Sequence, residues 1–92
     1  MNAETIQMAI DVADRAAREL VRTYLRPVRA QAGWYQTRLP PGMPADQAAA
    51  VRTALRYLHR RGLIWDHPQK GWITLSPPPA LHGGRRRAGV VQ

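Results

Sequence analysis

The run Val51-Arg52-Thr53-Ala54-Leu55-Arg56-Tyr57-Leu58-His59-Arg60-Arg61-Gly62-Leu63-Ile64 decides how the chain is read. Val51, Leu55 and Leu58 have the spacing of one helical face, and Ala48 upstream extends it. Pro44 presets the backbone for a helix start, so the pattern predicts a helix over 45–61. Gly62 stops it, with Arg60 and Arg61 in a last turn where cations meet the negative end of the helix dipole. Leu63-Ile64-Trp65-Asp66 and Gly71-Trp72-Ile73-Thr74-Leu75 follow as two β-favouring runs around the polar turn His67-Pro68-Gln69-Lys70. They predict a β-hairpin in which Trp65 and Trp72 pair across the strands.

Upstream of this unit, Pro40-Pro41-Gly42-Met43-Pro44 cannot sustain a helix and reads as loop. Trp34-Tyr35-Gln36-Thr37 reads as extended. Residues 3–26 read as one amphipathic helix, because Ile6, Ile10, Ala13, Ala17, Leu20 and Tyr24 fall on a single stripe. Asn2 is its expected N-cap, and Asp14 is expected to pair with Arg18 one turn on. Pro27 ends that helix and can open a second, short one over 27–32, which Gly33 would stop. After Ser76, Pro77-Pro78-Pro79 ends regular structure and Gly83-Gly84-Arg85-Arg86-Arg87 reads as a flexible basic tail. The organisation is thus a helix over 1–26, a core over 27–76 and a tail over 77–92.

The chain of 92 residues has a formal net charge of +8, from 14 basic and 6 acidic side chains, and no Cys. The missing Cys excludes a disulfide scaffold, a thiolate zinc site and a Cys nucleophile. A chain this short buries only about 60–65% of its unfolded surface, too little to expect a deep enzyme cleft. His59, His67 and His82 are scattered, so no metal site is expected, and no carboxylate pair beside a His or phosphate-cradling loop suggests catalysis or a cofactor. Apolar runs are too short to span a membrane and no leader is evident, so a cytoplasmic protein is expected. The charge is unevenly placed: the first twenty residues sum to −2 and the rest to +10. Of the basic residues only Lys70 is not Arg, a bias that the base composition of a genome can also produce.

On the 45–61 helix, the face away from the core stripe carries Ala49, Arg52, Thr53, Arg56, Tyr57 and Arg60. Like charges at i, i+4 and i+8 destabilise an isolated helix, so the pattern asks for a polyanion. Small residues near the start allow close approach to a duplex, Thr53 and Arg56 would reach base edges, and Arg52 and Arg60 would hold phosphate. The alternative is a solvated face. Arg85, Arg86 and Arg87 would add non-specific attraction to a duplex.

A core-packed helix, a glycine stop and a hairpin resemble the C-terminal half of a winged helix-turn-helix domain. Gly33-Trp34-Tyr35-Gln36-Thr37 resembles the turn and first strand that precede the helix-turn-helix there, so the resemblance covers residues 20–76. It implies a mostly α, α+β fold with a long N-terminal helix, and it makes 45–61 the recognition helix. Asp66 to Gly71 would be the wing tip, with His67 and Lys70 beside the duplex. Residues 38–43, where the first helix of the pair belongs, leave that helix shortened or missing. The implied function is double-stranded DNA binding, nucleoid-associated, as a small transcriptional regulator or an accessory factor of a phage or mobile element. The other reading is a protein-interaction module on an acidic protein surface. The N-terminal helix would be about 36 Å long, longer than the winged core needs. It either covers that core or dimerises through Ile6, Ile10, Ala13 and Ala17; a dimer would set two recognition helices about one DNA turn apart.

Overall fold

The computed structural model describes residues 2–78. Helix α1 (Ala3–Tyr24), strand β1 (Trp34–Gln36), helix α2 (Ala45–Arg61) and strands β2 (Trp65–Asp66) and β3 (Trp72–Thr74) follow in that order. The class is α+β: two helices and one three-stranded antiparallel sheet of order β1-β3-β2. None of the described helices is long and apolar enough to cross a membrane.

Helix α2 has the bounds that its periodicity predicts. It starts on Pro44, whose carbonyl accepts from the Ala48 N–H at 2.9 Å. It ends on Gly62 in the left-handed region at φ +68°, where a Cβ is disfavoured. The Gly62 N–H then reaches the His59 carbonyl at 3.0 Å and the Leu63 N–H reaches Leu58 at 2.9 Å, which satisfies carbonyls the helix would leave open. Helix α1 is capped by Asn2, whose side-chain oxygen accepts from the Thr5 N–H at 2.8 Å.

Three local expectations are corrected. Helix α1 stops at Tyr24, short of Arg26, and no helix forms over 27–32. The backbone there is recruited by β1 instead: the Gln36 N–H donates to the Arg26 carbonyl and the Val28 N–H to the Trp34 carbonyl, both at 2.8 Å. Pro27, with no N–H to offer, sits opposite Tyr35, and Gly33 at φ +88° reverses the chain. Second, Trp65 and Trp72 are not partners. Thr74 lies between Trp34 on one side and Trp65 on the other, while Ile73 lies between Tyr35 and Asp66.

Third, α1 is rolled relative to its predicted stripe. Asp14, Ala17 and Val21 are its buried residues, whereas Ala13 is exposed and Leu20 half-buried. Ile10, Asp14, Ala17 and Val21 have the same 4-3-4 spacing as the predicted set, one step round the helix.

Directly paired residues in a sheet point the same way, and neighbours along a strand point opposite ways. The register therefore puts Ile73 on the helix side and Trp34, Trp65, Trp72 and Thr74 on the outer side. Leu58, Ile73, Val21 and Val51 are the largest fully buried side chains, joined by Ala17, Leu25, Ala54 and Ile64 in one core. The C-terminal half of α1 thus belongs to the core. Residues 3–9 and 11–13 are exposed and Ile10 is half-buried, with Ile6 47%, Val12 55% and Met8 67% accessible.

Candidate nucleic-acid interface

Helix α2 sorts its own charges by direction. On the side turned to the body, Arg61 donates from Nε (3.1 Å) and Nη2 (2.9 Å) to the two oxygens of Asp14. His59 Nε2 lies 3.4 Å from the Asp66 carboxylate. On the side turned away, Arg52, Arg56 and Arg60 are exposed, and none of them meets a carboxylate among the described residues. Their spacing stacks them along one face. Arg56 is steered along the helix by Thr53, whose hydroxyl accepts from Nη2 at 3.3 Å. About two turns of helix thus present three cations without a carboxylate partner, which is the arrangement that a row of phosphates neutralises.

Tyr57 is turned elsewhere. It is half-buried and its phenol donates to Asp14 at 2.6 Å, so the ring braces α1 against α2. Hydrogen bonds from Arg61 and Tyr57 hold the Asp14 carboxyl down at about 2, and the bond to Asp14 pushes the Tyr57 phenol above its ordinary value. The Arg61 guanidinium is pushed further up by the same carboxylate. Sequence reading missed Asp14 and Arg61 as a pair. An acid on a buried-side 4-3-4 register was the available signal.

Thr53 also lines an open apolar groove of about 490 Å³ between the helices, with Ala13, Ala16, Ala17 and Leu20 on one wall and Ala49, Ala50, Ala54 and Tyr57 on the other. The predicted dimer residues are split: Ala13 and Ala17 line the groove, Ile6 is exposed, and Ile10 is half-buried.

At the hairpin turn, His67 stands between two tryptophans, with ring centroids 5.1 Å from both Trp34 and Trp72 in edge-on geometry. Its Nδ1 accepts from the Gln69 N–H (3.1 Å) and the Lys70 N–H (3.2 Å), so His67 shapes the turn. Lys70 is exposed, with its ammonium 5.9 Å from the centre of the Trp72 ring. Thr37 ties the hairpin to β1 through the Gly71 carbonyl, at 3.0 Å from its N–H and 2.9 Å from its hydroxyl. Arg85, Arg86 and Arg87 lie outside the described residues.

No family model, no curated protein and no solved structure matches the chain.

Proposed function

We propose that the protein binds double-stranded DNA through α2, as a small winged-helix regulator or accessory factor of a phage or mobile element. One observation carries this reading: Arg52, Arg56 and Arg60 are exposed on one face and unpaired among the described residues, while Arg61 and His59 on the same helix face carboxylates. The order helix, strand, helix, hairpin, with β1 against β3, supports a winged-helix arrangement. The loop over 37–44 stands where that fold has a further helix, so α2 is braced by α1 instead, through Asp14, Tyr57 and Arg61. In the proposed mode α2 enters the major groove, Arg52 and Arg60 hold phosphate, and Arg56 with Thr53 reads base edges. Lys70 and the 85–87 arginines would add flanking phosphate contacts.

Replacing Arg52, Arg56 and Arg60 together by Ala is expected to weaken duplex binding. For every phosphate that the variant no longer neutralises, the slope of log K against log salt should fall by about 0.9. Binding to random and specific duplexes across a salt series reads both effects, and the exposure of the three side chains leaves the fold intact. An unchanged affinity and slope would remove α2 from the interface.

The loop over 37–44 favours a second reading, a winged-helix module that binds an acidic protein surface. Recovery of a protein partner that survives nuclease, with no duplex binding at low salt, would select it.

A further inference from the structure

The exposed stretch of α1 has no role in the proposed DNA contact. It carries Ile6, Met8 and Val12 in solvent, and its only charges are Glu4 and Asp11. The groove between α1 and α2 is its converse. Its walls are mostly alanine, and Arg56, bonded to the groove residue Thr53, stands at its α2 edge beside Arg60. We infer that the apolar groove of one chain receives the N-terminal half of α1 from a second copy, in a two-fold dimer.

Shape, length, area and charge support this occupant. Large side chains on one segment and small ones lining a groove are the two halves of ridge-into-groove packing. The stretch Ala3–Ala13 is about 16 Å of helix, and the groove wall from Ala49 to Tyr57 is about 12 Å. Ile6 and Ile10 continue along α1 into Ala13, Ala17 and Leu20 on one line. A two-fold axis near Ala13 therefore seats both ridges in both grooves at once, as an isologous contact requires. Half the surface of a helix about 10 Å wide and 16 Å long is about 250 Å². Two such ridges with their two grooves bury about 1,000 Å², the lower bound of a specific interface. The entering segment is acidic and the α2 edge that meets it is basic.

The test is sedimentation equilibrium of the full chain without nucleic acid. The wild type is expected at twice the mass of one chain. Ile6→Asp changes the ridge and Ala16→Glu the groove; both positions are exposed in the single chain, so each variant keeps its circular dichroism. Each is expected to raise the dissociation constant at least about tenfold, equivalent to 1.4 kcal/mol, and Asp11→Arg is expected to raise it in the same direction. A wild type that stays monomeric at high concentration overturns the inference and leaves the groove to another chain. So does a dimer that both Ile6→Asp and Ala16→Glu leave intact. Duplex affinity is measured separately, so neither result bears on the DNA-binding reading.

Discussion

Asp14 is 6% accessible and charged, and it sits on the core side of a helix. Such a group is tolerable only when its oxygens are fully engaged. Arg61 takes both oxygens and Tyr57 takes Oδ1, so one side chain fixes the relative position of α1 and α2. Its carboxyl is lowered from 3.8 to about 2 on folding. A depressed folded-state value means that the contribution to stability is complete above pH 3.8 and is lost as pH falls through 2. Denaturant midpoints of the wild type and Asp14→Asn should therefore differ clearly at neutral pH and converge in that acid window. A constant gap between the two curves would show that Asp14 contributes as a neutral hydrogen-bonding group and not as an anion. Tyr57 belongs to the same account: its spacing put it with the outward arginines, and its hydroxyl is taken by Asp14.

At the scale of elements, the passage from α2 into the hairpin rests on Gly62 at φ +68°. Gly62→Ala places a Cβ in the left-handed region, at a cost of about 1–2 kcal/mol. For a domain of this size each kcal/mol lowers Tm by about 4–8 °C, so a melt followed by circular dichroism reads the effect directly. An unchanged Tm would mean that the cap relaxes into another geometry. This junction was legible in the sequence because its signals are local: an apolar period, a glycine and two β-favouring runs. The same locality exposed the row Arg52, Arg56 and Arg60, which depends on helical spacing alone. The face of α1 was not legible. Two stripes of equal spacing compete there, and the one containing Asp14 wins through Tyr57 and Arg61, 43 and 47 residues away. Residues 27–32 failed for a related reason. Pro27 suits the first turn of a helix and the edge of a sheet equally well, and the distant pairing with β1 decides between them.

In the whole molecule, the inward charges of α2 brace the helices and the outward ones remain available. The inferred dimer and the proposed duplex would both draw on Arg56 and Arg60, so the two associations would compete for one edge of α2. The sheet has a consequence of another kind. All three tryptophans of the chain lie on its outer face, away from both helices, and the His67 ring separates Trp34 from Trp72. Intrinsic fluorescence is therefore confined to one layer. Association through α1 should leave the emission spectrum unchanged while the molecular mass doubles. A duplex that draws Lys70 away from Trp72 should shift it, and a duplex held by α2 alone should not. An emission change on self-association would place the contact on the sheet. The protein thus carries an optical label that is blind to its helices and sensitive to its hairpin, and titration of the unlabelled chain can tell which of the two a partner has touched.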